Sequence, residues 1–212
     1  MDFALYLVTD RHASPRPLSE IVDECLDAGL RAVQLREKDL APRDLLPAAT
    51  ALMASTRRHR AKLIVNDRAD VALAVGADGV QRTHVSLPTD ALRRIGPPGF
   101  LIGASVHSLA QAHDAVSQGA DFLVFGPVYD TPSKRPYGAP QGLAALERVA
   151  AASARPVIAV GGMTPERVPE VLAAGAAGIA VISAIIAAAS PADRTRAFLD
   201  ALGRETHDAA GQ

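Results

Sequence analysis

The sequence predicts one α/β domain folded as a (β/α)8 TIM barrel, and three observations predict it. Eight apolar segments of strand length alternate with helix-length segments along the 212 residues, the order that builds a parallel sheet covered by helices. A junction led by glycine recurs before every second strand: Gly29-Leu30-Arg31-Ala32-Val33, Gly76-Ala77-Asp78-Gly79-Val80, Gly119-Ala120-Asp121-Phe122-Leu123 and Gly175-Ala176-Ala177-Gly178-Ile179. Near the C-terminus, Ile158-Ala159-Val160 runs into Gly161-Gly162-Met163-Thr164-Pro165, and Ile179-Ala180-Val181 runs into Ile182-Ser183-Ala184. Two such strand–turn–helix units in succession commonly form a phosphate site after the last two strands of a barrel.

Taken in order, the strands are expected at residues 4–9, 32–35, 62–65, 79–81, 100–104, 122–125, 156–160 and 178–182. Helical patterns occupy 18–28, 42–58, 109–118, 143–152 and 165–173. Each junction glycine ends a helix and fits a left-handed C-terminal cap. Its recurrence at every second unit suits a closed barrel with alternating strand layers better than an open doubly wound sheet. Thr164 suits an N-cap and Pro165 the first helical position, so an anion can sit where that helix begins. The barrel is expected to span 1–204 as a single domain, and the largely polar stretch 205–212 to fray.

Composition narrows the function classes. At 49% apolar residues the chain builds a sizeable core, and a net charge of −1 gives no electrostatic case for a nucleic-acid or acidic-membrane partner. The single Cys25 excludes an internal disulfide and a cysteine-rich zinc site, and its helical position suits a buried thiol. No basic segment precedes a long apolar run, so neither a signal peptide nor a membrane span is expected, and a cytoplasmic enzyme is. Exposed apolar helix faces are compatible with a homodimer. His59 and His113 lie on helical patterns and are expected in solvent.

Barrel active sites form at the carboxyl ends of the strands, and polar residues concentrate there. Strand 1 leads into Thr9, Asp10, Arg11 and His12. On strand 2, alternation puts Gln34, Arg36 and Lys38 on one face. Asn66, Asp67 and Arg68 follow strand 3, either as site residues or as caps of the next helix. Strand 4 ends in Gln81-Arg82-Thr83-His84. Strand 5 ends in Ser105-Val106-His107-Ser108, where Ser108 suits a helix cap. His107 either faces the mouth, where it could move a proton near neutral pH, or is structural. The long loop after strand 6 carries Thr131, Ser133 and Lys134. Cations and hydroxyls opposite a helix-end anion site suit a phosphorylated substrate.

With these residues in view, the chain resembles the thiamine phosphate synthase/TenI superfamily along nearly its whole length. Seven segments in order carry the resemblance: LYLVTD at 5–10, VQLREKD at 33–39, IVNDR at 64–68, GADGV at 76–80, GASVHS at 103–108, FGPVYDTPSK at 125–134 and AVGGMTPER at 159–167. The resemblance implies a TIM barrel and a role in thiamine biosynthesis. Two activities share the fold. The synthase couples a pyrimidine pyrophosphate to a thiazole phosphate with Mg²⁺. The TenI-like tautomerase moves a proton in the carboxythiazole phosphate, making it aromatic without a metal. Gln34, Arg36, Lys38, Asn66, Asp67, Thr131, Ser133 and Lys134 match the synthase. Yet the synthase usually reads H-L-G-Q-x-D after strand 4, its Asp holding Mg²⁺, where this chain reads Gln81-Arg82-Thr83-His84-Val85-Ser86. Val106 makes Ser105-Val106-His107-Ser108 match the tautomerase. Magnesium is usually bound through one or two carboxylates, so the missing one decides the expectation: a thiazole tautomerase, an isomerase with no cofactor, using His107 as acid and base. Gly161, Gly162, Ile182 and Ser183 would hold the phosphate, and Gln34, Arg36 or Lys38 the ring carboxylate. The alternatives are the synthase, with Mg²⁺ on Asp67, and a non-catalytic regulatory barrel.

Overall fold

The computed structural model describes residues 1–131 and 139–208, with side chains through Gly203. Its eight strands are β1 (Leu5–Val8), β2 (Ala32–Leu35), β3 (Lys62–Asn66), β4 (Gly79–Arg82), β5 (Leu101–Val106), β6 (Phe122–Phe125), β7 (Val157–Val160) and β8 (Gly178–Val181). They pair in parallel, each with the next, and the ring closes through Leu5 beside Ile179, Tyr6 beside Ala180 and Leu7 beside Val181. The expected single-domain TIM barrel is the observed fold. The helices outside it are α1 (Leu18–Asp27), α2 (Pro42–Arg58), α3 (Ala69–Val75), α4 (Thr89–Ile95), α5 (Leu109–Ser117), α6 (Leu143–Ala152), α7 (Val168–Ala173), α8 (Ser183–Ile186) and α9 (Pro191–Asp208).

Strand alternation divides the core in two. Outward side chains such as Leu7, Val33, Leu63, Val106 and Phe125 pack with the inner helix faces, including Ile21, Leu52, Val149 and Phe198. Inward side chains fill the barrel with Tyr6, Ile64, Phe122, Val124 and Ile158. Phe3, Tyr6 and Phe122 form an aromatic trio with ring centroids 5.4 to 5.9 Å apart. Gly103 makes room for it, because a Cβ there would lie 2.4 Å from Phe122 Cζ and 2.3 Å from Gln81 Oε1. The four junction glycines all have positive φ, from 64° at Gly76 to 106° at Gly29. Cys25 is buried, and burial pushes its thiol up to about 11.

The strand ends differ from the sequence expectation in a way that matters for the site. β3, β4 and β5 extend to Asn66, Arg82 and Val106. The ladder holds Asn66 opposite Gln81 and Gln81 opposite Gly103, so these polar groups sit on strands and not on loops. The segment after β7 begins as a 3-10 turn, Pro165–Arg167, before α7. Thr164 occupies the N-cap place but makes no side-chain cap bond; its hydroxyl serves Glu166 and holds that carboxyl below its usual value. His59 is pinned, not solvated: its ring meets the Ser55 carbonyl at 2.9 Å and Asp27 at 2.8 Å. Helix α9 continues to Asp208, past the 204 boundary. No helix among the described residues is long and apolar enough to cross a membrane.

Candidate active site at the barrel mouth

The loops after β1 and β2 are tied together by side-chain hydrogen bonds. Thr9 is fully buried; its Oγ1 accepts the Arg36 N–H at 2.8 Å and donates to Glu37 Oε1 at 2.6 Å. Arg11 donates from its backbone to Glu37 and from its guanidinium to Glu37 and Asp39, and the His12 ring lies 3.0 Å from Asp39. Arg11 first and His12 second hold the Asp39 carboxyl well below the usual carboxylate range. Both carboxylates of this segment are therefore satisfied by the β1 loop. Arg36 and Lys38, which alternate with them in sequence just past the end of β2, have no carboxylate partner among the described residues. Burial first and the neighbouring Arg36 charge second lower the Lys38 ammonium.

Beneath them runs a polar layer. Gln34 Nε2 donates to Asn66 Oδ1 at 2.9 Å, and Gln81 Nε2 donates to Ser105 Oγ at 3.0 Å. Asp67 follows Asn66 with φ 64°, a left-handed conformation that Asp tolerates better than most residues. Its N–H donates to the Gln81 carbonyl at 2.9 Å, which fixes the turn to β4. Ser86 Oγ donates to Asp67 Oδ1 at 2.5 Å and accepts the Thr83 N–H at 2.9 Å. Neither Asn66 nor Asp67 caps α3; Arg68 stands at that N-cap and pairs with Asp70. Ser86, in place of the aspartate usual in the synthase pattern, thus rests on the carboxylate of Asp67. Among the described residues no group of three or more His, Cys, Asp or Glu side chains is placed to hold a metal.

On the far side of the mouth, Gly161 and Gly162 turn with φ 102° and 66°. A Cβ on Gly161 would lie 2.6 Å from Pro127 Cβ, and one on Gly162 2.7 Å from Tyr129 Cβ. The space these glycines spare is filled by the chain's own loop after β6. Among the described residues the N–H groups of Gly162, Met163, Ser183 and Ala184 donate to no protein acceptor. The short helix α8 starts directly at Ser183, after Ile182. Thr131 lies at the edge of the loop after β6, while Ser133 and Lys134 lie outside the described residues.

Comparison with known proteins gives this geometry a family. The family model described as thiamine monophosphate synthase matches residues 5–185. The chain belongs to the thiamine monophosphate synthase/TenI family. It is 50% identical over 209 residues to a Geobacter sulfurreducens protein named "Putative thiamine-phosphate synthase", covering 98% of each chain. It is 46% identical over 187 residues to the thiamine-phosphate synthase of Methanoculleus marisnigri, covering 88% of this chain and 89% of that one. The solved thiamine phosphate pyrophosphorylase of Pyrococcus furiosus superposes with a TM-score of 0.88 at 37% identity, covering 95% of this chain and 96% of that one.

These relatives overturn the expectation of a thiazole tautomerase and of an isomerase, since it is synthases that the chain resembles at this level of identity. The two residues that favoured the isomerase read differently in three dimensions. Val106 is fully buried on the outer side of β5 and packs toward the helices, so it carries no chemistry. The His107 ring meets the Gly126 carbonyl at 2.5 Å through Nδ1. It lines a cavity of about 180 Å³ with Leu109, Phe125, Ala145 and Val149, between α5 and α6 and outside the strand ring. The acid–base role expected of His107 falls with the isomerase reading. Ser108 accepts the Gln111 N–H at 3.2 Å as the cap of α5, as the sequence suggests. Sequence reasoning missed Ser86 as a partner of Asp67, and missed Tyr129 and Arg167 beside the glycine turn. The motif FGPVYDTPSK contains the tyrosine and AVGGMTPER the arginine, but neither reveals that they meet.

Proposed function

We propose that this chain is a thiamine-phosphate synthase, a transferase that couples a hydroxymethylpyrimidine pyrophosphate to a thiazole phosphate. In that reaction the bond between the pyrimidine methylene carbon and the pyrophosphate oxygen breaks, and the electron pair leaves with pyrophosphate. The thiazole nitrogen lone pair forms the new carbon–nitrogen bond. The observation that carries the reading is the pair Arg36 and Lys38, side by side at the mouth with no carboxylate partner among the described residues. Two adjacent cations destabilise each other until an anion of high charge sits between them, which suits a leaving pyrophosphate better than a single ring carboxylate.

The other residues take roles consistent with this. Gln34, locked to Asn66, sets the floor on which the pyrimidine would rest. The unpaired N–H groups of Gly162 and Ser183, with Gly161 and Ile182 shaping the two turns, would take the thiazole phosphate, as helix-end amides commonly do. Thr131, Ser133 and Lys134 match the synthase pattern and are assigned to substrate binding on that resemblance. Asp67 offers one carboxylate and Ser86 one hydroxyl, hard oxygen donors that fit Mg²⁺ when substrate oxygens complete the shell. Bound there, Mg²⁺ would neutralise charge on the departing pyrophosphate. Arg36 and Lys38 would share that charge. The proposal places the enzyme in the cytoplasm, with phosphorylated small molecules as its partners.

The test supplies both substrates to the purified protein with Mg²⁺ and follows thiamine phosphate and pyrophosphate together. Equimolar formation of both, lost in a chelator and restored by Mg²⁺, is expected. Tight binding of both substrates with no coupling would overturn the proposal and favour a non-catalytic barrel.

A further inference from the structure

The glycine turn after β7 is held from outside by three side chains that the reaction does not use. Arg167 Nη1 donates to the Gly162 carbonyl, and the same guanidinium lies 4.3 Å over the Tyr129 ring centroid. Tyr129 Oη donates to Glu170 Oε1. The Tyr129 N–H donates to the Gly161 carbonyl at 3.2 Å, and the Val128 N–H to Val160 at 2.8 Å. Arg167 is flanked in sequence by Glu166 and Glu170, yet makes no ion pair with either among the described residues. Tyr129 takes Glu170. The guanidinium is thus kept for the turn.

A peptide unit is planar and trans, so its N–H points opposite to its C=O. Holding the Gly161 carbonyl on Tyr129 turns the Gly162 N–H away from the β6 loop. Holding the Gly162 carbonyl on Arg167 turns the Met163 N–H away from that side chain. These are two of the N–H groups left without a protein acceptor. We propose that Arg167, stacked on Tyr129, is a positioning residue that aims the Gly162 and Met163 amides at the phosphate of the substrate. It fixes the turn after β7 and the loop after β6 as one body. Burial first and Glu170 second push the Tyr129 hydroxyl well above its usual range, so it stays a donor at neutral pH.

The proposal deepens the synthase reading and rests on it only for the identity of the phosphorylated substrate. Its test measures inorganic phosphate binding by calorimetry and the steady-state coupling reaction in wild type, Arg167→Ala, Arg167→Lys and Tyr129→Phe. Arg167→Ala is expected to raise both the phosphate Kd and the thiazole phosphate KM about tenfold, the size of one charge-assisted hydrogen bond, with kcat nearly unchanged. Arg167→Lys keeps a donor but loses the flat stack, so it recovers part of the loss. Tyr129→Phe keeps the ring and gives the mildest effect. An unchanged Kd and KM in Arg167→Ala, or a fall in kcat alone, would overturn the proposal. If Arg167→Ala fails to fold, the graded order of the lysine and phenylalanine variants decides, and equal effects overturn it. Wild type that binds phosphate but couples nothing would sink the synthase reading and leave the positioning role to be judged on Kd.

Discussion

Ser86 and Asp67 carry the sharpest chemical question at the scale of single residues. The hydroxyl that rests on Asp67 Oδ1 leaves the candidate metal site with one negative charge. Cation affinity rises with ligand charge, so Ser86→Asp is expected to tighten Mn²⁺ binding in the presence of pyrophosphate by about an order of magnitude. Paramagnetic resonance of free Mn²⁺ reads this directly. Without metal the same variant should melt earlier, because two carboxylates would face each other. Unchanged affinity would remove this pair from the metal site. His59 provides a titration test away from the mouth. The Ser55 carbonyl first and Asp27 second raise its imidazole, since both accept hydrogen bonds that only the imidazolium can supply together. A raised folded value means that this contribution is complete below about 6.5, the unfolded value, and is lost as pH rises through the folded value. An NMR titration should place the His59 midpoint above 6.5. Asp27→Asn should lower that midpoint without abolishing the elevation, because Ser55 remains. A midpoint insensitive to Asp27 would mean that the pair does not form in solution.

Strands and turns were legible in the sequence because each is written in local chemistry. The apolar runs give all eight strands to within about two residues, and the junction glycines mark four left-handed helix ends that only backbone freedom explains. The same locality limits the site. Alternation in the sequence groups Gln34, Arg36 and Lys38; β2 ends at Leu35, and Arg36 and Lys38, in the segment after it, are the pair left without carboxylates among the described residues. No local pattern, however, announces that Arg11 reaches across 28 positions to neutralise Asp39. Thr164 looks like a cap in sequence, but its side chain makes no cap hydrogen bond. The isomerase expectation failed for a related reason. It weighed Val106 and the absent carboxylate as statements about chemistry. One is an outward packing residue, and the other is a single ligand position, which matters less where substrate oxygens can complete a cation's shell. The turn after β7 is the clearest case of partial legibility. Its glycines are visible, but the Pro127 and Tyr129 that fill the space beside them belong to a segment more than thirty residues earlier.

Closure of the ring is a property of the whole molecule, and α9 is the element that connects its ends. That helix packs against α1 and β1 from the first unit and against α7 and α8 from the last two. Phe198 is its fully buried anchor, with Leu202 nearly so. Thr195 Oγ1 returns to the Pro191 carbonyl at 2.8 Å, the same carbonyl that Cys25 Sγ of α1 approaches at 4.0 Å. A parallel barrel has no free edge while β8 is paired with β1, so loosening that seam exposes unpaired backbone on two strands at once. Phe198→Ala should therefore cost about 3–5 kcal/mol, the range for deleting a buried aromatic ring. The urea midpoint should fall while the slope of the transition stays constant. Far-UV dichroism and substrate binding should be lost together, because the β7 and β8 turns that offer their amides at the mouth sit on the strands next to the seam. If binding disappears in urea before the secondary structure does, α9 is holding the β7 and β8 turns in place without holding the barrel closed, and the coupling between seam and site runs through α7 and α8 instead of through the strand ring.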